Sequence, residues 1–161
     1  MEKLLRLLSE NSSYTVKELA LLTGESEESV NGKINEYFDQ GIIKGYKAAI
    51  NWEKVKDAGV TAYIELKVTP IKDKGFDEIA ERIMSFEEVS SLYLMAGTYD
   101  LAVIVKGDTI QDVSSFVTRK LSALDGVLAT ATHFILKRYK DEGLVLSEMP
   151  VTKGVCSSDG L

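Results

Sequence analysis

Apolar residues recur at helical spacing through roughly the first forty positions and at every second position from Val60 onward. This pattern predicts a helical N-terminal part followed by a mixed α+β part. The opening MEKLLRLLSEN alternates apolar and charged positions and reads as a helix, with no small-residue cleavage site of a signal peptide. Thr15 with Glu18 three residues on is a capping box, opening a helix with Val16, Leu19, Ala20 and Leu22 at its apolar positions. Gly24 breaks that helix, and Ser26 can accept from the free amides of the next one. The second helix carries Val30, Ile34, Tyr37 and Phe38 as its buried stripe and stops at Gly41. Two helices around a short glycine-containing turn form a helix-turn-helix, whose second helix can lie in a DNA major groove. An ordinary helical hairpin would show the same stripe. The segment Ile42-Ile43-Lys44-Gly45-Tyr46, expected as a two-strand wing, favours the first reading.

From Val60 the period becomes two. VTAYIELKVTP alternates through Val60, Ala62, Ile64, Leu66 and Val68, the pattern of a strand. KGFDEIAERIMSF then sets Phe76, Ile79, Ala80, Ile83 and Met84 on one helical face. EVSSLYLMAG and DLAVIVKGD read as two strands joined at Gly97-Thr98-Tyr99-Asp100. A further helix starts near Asp108 or Thr109 and buries Ile110, Val113, Phe116, Val117, Leu121 and Leu124. Asp125-Gly126 ends it, and VLATATHFILKRYK is the last strand. The order β-α-β-β-α-β predicts a ferredoxin-like antiparallel sheet with both helices on one face. Strands two and three are apolar at nearly every position, through Leu92, Tyr93, Leu94 and Met95 and then Leu101 to Val105. Such runs imply cover on the second face too, and another copy of the chain is the expected cover. Residues 51–59 are expected as a linker, residues 141–150 as partly ordered, and 151–161 as disordered.

Composition narrows the class. A length of 161 residues suits one ordinary domain or two small ones, and 45% hydrophobic with 27% charged residues describes a globular protein. No apolar run approaches the ~20 residues of a membrane span. The single cysteine, Cys156, excludes an internal disulfide and fits a reducing cytoplasm. The only histidine, His133, has no cysteine or second histidine for a metal site, and no phosphate loop or nucleophile–base motif is present, so neither an enzyme nor a cofactor is expected. Trp52 reads as a packing anchor between the two parts of the chain. Charge is the awkward feature for a nucleic-acid partner. The net value is −6, and residues 1–55 hold seven Lys/Arg against nine Asp/Glu, where a DNA-binding module normally shows a basic stripe.

Three stretches in register with these elements, DQGIIKGYKAAIN, MAGTYDL and GVLATATHFIL, make residues 2–140 resemble the Lrp/AsnC (feast/famine) transcription regulators. The second matches a family turn in which a glycine precedes an aromatic-Asp pair, the third a family strand with two threonines one residue apart. The resemblance implies a winged helix-turn-helix DNA-binding domain over residues 1–50. It also implies a ligand-sensing and oligomerisation domain of RAM type over 60–140, with 141–161 as a tail. Its implied partners are double-stranded DNA, a small effector that is commonly an amino acid, and further copies of the chain in dimers and often octamers. Carried over by position, the effector would meet Gly97, Thr98, Tyr99, Asp100, Thr130 and Thr132. Glycine lets backbone amides approach a carboxylate, and Asp100 could pair an ammonium. A turn carboxylate satisfying neighbouring amides, and plain β propensity for the threonines, account for the same residues. The DNA-facing candidates are Ser29, Asn31, Lys33, Asn35, Lys44 and Lys47. Family members usually run arginines through this helix, whereas Gly32, Asn35, Glu36 and Asp39 stand here, with only Lys33 retained. Asn31 and Asn35 can still pair with adenine. Two readings follow: a ligand-responsive regulator binding DNA weakly per head but through several heads, or a ligand-sensing oligomer whose helix-turn-helix no longer binds DNA.

Overall fold

Side-chain caps set three of the helix starts in the computed structural model, which describes residues 2–70 and 75–147. The chain divides into two compact units, Met1–Ile50 and the part from Asn51 onward. In the first unit, α1 (Lys3–Glu10), α2 (Val16–Thr23) and α3 (Glu27–Asp39) enclose Leu4, Leu8, Leu19, Ala20, Val30 and Tyr37. Thr15 Oγ1 accepts from the Glu18 amide while the Glu18 carboxylate accepts from the Thr15 amide at 2.8 Å, closing the expected capping box. Gly24 ends α2 in the left-handed region, φ 79°, and Ser26 caps α3 by accepting from the Ser29 amide.

Three expectations for this unit are corrected. Leu22 and Phe38 are exposed, because each lies beside the inward stripe of its helix. Phe38 instead meets Tyr46 edge to face at 5.7 Å. No wing strand forms in residues 42–50. The amides of Ile42 and Ile43 both turn back to the Tyr37 carbonyl, at 2.8 and 3.1 Å, and the described residues offer this segment no second strand to pair with.

The second unit is a four-stranded antiparallel sheet of order β2-β3-β1-β4, built from β1 (Val60–Val68), β2 (Val89–Leu94), β3 (Leu101–Gly107) and β4 (Val127–Phe134). Ala62, Ile64, Leu66 and Val68 of β1 are buried and face α4 (Asp77–Met84) and α5 (Ile110–Phe116). Their β3 neighbours Val105, Val103 and Leu101 share this face, as do Ile79, Ile83, Val113, Phe116 and Leu121 from the helices. A capping box of Thr109 and Asp112 opens α5, and a π turn over Val117–Leu121 extends it. Met84 and Ile110, expected in the buried stripes, are exposed at the helix ends. Here the ferredoxin-like arrangement predicted from the period is realised in full.

Segment 51–59 belongs to this unit. Asn51 Nδ2 donates to the Leu146 carbonyl at 3.0 Å, and Trp52 opens a 3-10 turn with its ring 5.7 Å from the Lys106 ammonium. A short hairpin, β5 (Lys140–Asp141) and β6 (Leu144–Val145), stands where only a partly ordered tail was expected. Glu142 and Gly143 at its turn have φ of 43° and 88°, the paired left-handed residues that suit a two-residue hairpin. The remainder of the tail, with Cys156, lies outside the described residues.

The helix-free face carries Tyr63, Glu65 and Lys67 of β1, Ala102 and Ile104 of β3, Ala131 and His133 of β4, and Tyr93 of β2. It is mixed, not continuously apolar: β1 alternates strictly, and His133 Nε2 lies 3.2 Å from Glu65 Oε2.

Ile64 is fully buried between the sheet and its helices. Ile64→Ala should lower the unfolding free energy of the second unit by about 2–5 kcal/mol. Urea unfolding followed by far-ultraviolet circular dichroism measures it, and an unchanged midpoint would contradict the assigned core.

Candidate functional site

Two regions collect the candidate residues, one in each unit. At 100° per residue, α3 turns Val30, Ile34 and Tyr37 inward and Glu28, Gly32, Asn35, Glu36 and Asp39 outward, with Asn31 on one flank. A Cβ added at Gly32 would meet nothing within 4 Å, so the middle of the outward face is bare. Asn31 and Asn35 are exposed, and neither side chain bonds another group among the described residues.

Ser29 and Lys33 behave differently. They lie on the opposite flank, in an i, i+4, i+8 series that begins at Glu25. Ser29 Oγ donates to Glu25 Oε2 at 2.7 Å, and Lys33 Nζ donates to Glu25 Oε1 at 2.8 Å. The same ammonium lies 3.5 Å from Glu2 Oε1, while the Tyr37 hydroxyl donates to the other oxygen of Glu2. These contacts leave their mark on proton affinity. The Lys33 hydrogen bond, with help from Ser29, holds Glu25 below the usual carboxylate range, and Glu25 in turn raises Lys33. Tyr37 is pushed up to about 12, first by its bond to Glu2 and then by burial. Lys44 and Lys47 are exposed on the segment that follows α3, beside the Phe38–Tyr46 contact. Of the six DNA-facing candidates, four therefore face solvent and two are committed to carboxylates of their own unit.

In the second unit, the turn of Gly97, Thr98, Tyr99 and Asp100 joins β2 to β3 and is fastened to β1 by Asp100. Its amide donates to the Leu66 carbonyl at 2.9 Å, its Oδ2 accepts from the Val68 amide at 2.9 Å, and its Oδ1 accepts from Lys67 Nζ at 3.0 Å. The Val68 amide, then Lys67, hold its carboxyl below the usual aspartate range. Both oxygens are thus already used within the chain, as the turn-carboxylate alternative requires. Thr130 stands opposite Leu66 and Thr132 opposite Ile64, both half-buried on β4. The turn and Thr130 share one end of the sheet with β1 between them, and Thr132 lies two pairs further in. One chain thus brings these residues to a common end of the sheet.

Two features went unforeseen. The carboxylates of Glu2 and Glu25 bind α3 to its neighbours; the four-residue spacing of Glu25, Ser29 and Lys33 was the available signal. At the other end of the sheet, a cleft of about 600 Å3 is lined by Trp52, Val55, Lys106, Ile135, Leu136 and Arg138. Arg138 spans it, donating to Thr61 Oγ1 and, through its amide, to Glu53 Oε1 at 3.2 Å. No sequence spacing announces it, since its lining comes from three separate segments.

Comparison with known proteins adds four findings. A sequence model of the Lrp/AsnC ligand binding domain matches residues 61–145. The Bacillus subtilis uncharacterized HTH-type transcriptional regulator YugG is 46% identical over 144 residues, covering 89% of this chain and 87% of its own. The crystal structure of transcriptional regulator NMB0573 from Neisseria meningitidis, a complex with L-Met, aligns with TM-score 0.70 at 26% identity over 91% of this chain and 97% of its own. The leucine response regulatory protein LrpA of Mycobacterium tuberculosis shares the fold, with TM-score 0.72 at 23% identity, over 91% and 100% of the two chains. No helix among the described residues is long and apolar enough to cross a membrane.

Asp100 makes the turn's attachment pH-dependent. Because its folded pKa lies below the ordinary 3.8, the stability it contributes is complete above that value and is lost as pH falls further, through the folded pKa. Asp100→Asn should therefore unfold more readily than the parent at pH 7, with the two converging as pH falls below 3.8. Thermal midpoints across that range test it; a gap that persists undiminished in acid would show that the carboxylate's charge is not what ties the turn.

Proposed function

Because this chain belongs to the Lrp/AsnC family of transcription regulators, and is not an enzyme, we propose that it senses an amino acid and couples that signal to DNA binding. The observation that supports this most is the likeness, across nearly the whole of both chains, to a regulator solved with L-Met. The pinned turn adds to it. With Asp100 fastening Gly97, Thr98 and Tyr99 to β1, their backbone amides form a fixed edge that a ligand carboxylate can approach closely at Gly97. Thr130 and Thr132 supply hydroxyls at the same sheet end. Asp100 then serves by holding the turn; an effector ammonium needs a partner from elsewhere, and a neighbouring copy of the chain is the natural source.

Assembly follows from the helix-free face. Tyr93 is exposed at one edge of this face, and Tyr63, Ile104 and the Glu65–His133 pair lie on the same face across β3, β1 and β4, a surface suited to a second copy of itself. Dimers, and octamers built from them, would also set several helix-turn-helix units on one DNA, so that weak heads bind together. Such a protein works in the cytoplasm, with its DNA. The alternative of a sensor that has lost DNA binding gains no support from relatives named as HTH-type transcriptional regulators.

A thermal scan with each of the twenty amino acids tests the effector reading. A ligand present at 100 times its Kd should add about 2.7 kcal/mol to folded-state stability. Thr132→Ala should abolish or weaken that shift while leaving the oligomer intact; a mutant that responds as the parent does would remove Thr132 from the site. Light scattering tests assembly separately. The parent should be a dimer or larger at micromolar concentration and Ile104→Glu a monomer, since the substitution sets a charge amid the proposed interface. A monodisperse monomeric parent would overturn that part.

A further inference from the structure

We infer that Lys33 is a positioning residue of the recognition helix, held off the DNA, and that Asn31 and Asn35 determine sequence preference by pairing with adenine. The inference rests on the helix-turn-helix reading of the first unit and needs neither effector nor oligomer. Lys33 is the one cation of α3, so by composition alone it is the phosphate contact. Its geometry argues otherwise. The ammonium bridges Glu25, in the turn before α3, and Glu2, the residue just before α1, at 2.8 and 3.5 Å. Tyr37, one turn further along the same face, donates to the second oxygen of Glu2. Lys33 and Tyr37 thus grip one carboxylate together and fix the start of α1 against α3. Ser29 holds Glu25 in place from the same helix. A single exposed ion pair is weak, but this ammonium spans two. Reaching a phosphate would strand both carboxylates, one of them at the margin of the DNA-facing surface.

What remains on the exposed side of α3 offers no positive charge. Around bare Gly32 stand Asn31 and Asn35, one turn apart, with Glu28, Glu36 and Asp39. Guanine O6 and N7 are both acceptors and call for Arg or Lys, which this surface lacks. Adenine presents N7 as acceptor and N6 as donor, which one carboxamide satisfies with both of its ends. The acidic neighbours are tolerated beside exocyclic amino groups and penalised beside guanine. Phosphate attraction falls to cations outside α3, chief among them Lys44 and Lys47, exposed on the segment after it, where the Phe38–Tyr46 contact holds the chain close to the helix.

The experiment selects duplexes from a random-sequence pool with the full-length chain at low salt, then measures binding of the selected duplex against KCl concentration. Adenine should recur at the selected positions. Asn31→Ala and Asn35→Ala should each erase the preference at one position, costing roughly 5- to 150-fold on the parent site and little on a site changed there. Lys44→Ala should lower the salt slope by about one for each phosphate the lysine neutralises. Lys33→Met should keep the motif and the slope while lowering thermal stability and overall affinity, and Lys33→Arg should restore both. The proposal falls if Lys33→Met reduces the slope as Lys44→Ala does, if both asparagine variants keep the parent motif, or if no motif emerges from the pool. Should Lys33→Met fail to fold, Lys33→Arg decides alone: an altered motif or slope overturns the assignment. A failure here, with the amino-acid thermal shift intact, removes this inference and leaves the effector reading standing.

Discussion

The strict alternation of β1 is the constraint on which the second unit depends. Every even position from Ala62 to Val68 is buried against the helices, and every odd one between them faces the open side. With β3 on one edge and β4 on the other, a slip of one residue would carry Glu65 and Lys67 into the core and expel Ile64 and Leu66. The same register decides where the functional groups stand. It sets Thr130 and Thr132 on the helix-bearing side of β4, His133 opposite Tyr63 on the other, and the Asp100 turn against the last residues of β1. A core pattern that looks purely structural thereby fixes the edge that the effector is proposed to meet.

The first unit is organised by a different force. Its apolar core is small, six buried residues among those described, across three short helices. Around it runs a polar network in which Lys33, Ser29 and Tyr37 of α3 hold the carboxylates of Glu25 and Glu2. An acidic composition is thus partly neutralised from within, and the unit's overall charge understates how its surface is divided. Exposed lysines Lys44 and Lys47 follow α3, whereas the outward side of the helix itself presents amides and carboxylates.

Much of this was legible in the sequence because it rests on short-range rules. Capping boxes at Thr15 and Thr109, the left-handed Gly24, the period-two run of β1 and the β-α-β-β-α-β order all depend on residues a few positions apart. What was not legible depends on distance. Glu2 meets Lys33 and Tyr37 across more than thirty residues, and no local pattern announces that contact. Leu22, Phe38, Met84 and Ile110 were assigned to apolar stripes that short helices are too narrow to bury entire. The wing failed for a related reason: apolar, β-favouring residues at 42–46 make a strand only when a partner strand exists. For the effector residues, the sequence located an edge of the sheet, and Asp100 proved to be spoken for by Val68 and Lys67.

Trp52 is the only tryptophan in the chain, and it belongs wholly to the second unit. Its indole lines the cleft at the sheet end away from the Asp100 turn, with the Lys106 ammonium 5.7 Å from the ring. The three-helix unit holds tyrosines and Phe38 but no indole. The protein thus carries a built-in optical label confined to one of its halves: light selective for indole follows the state of the sheet and its 3-10 turn while the DNA-facing helices stay dark.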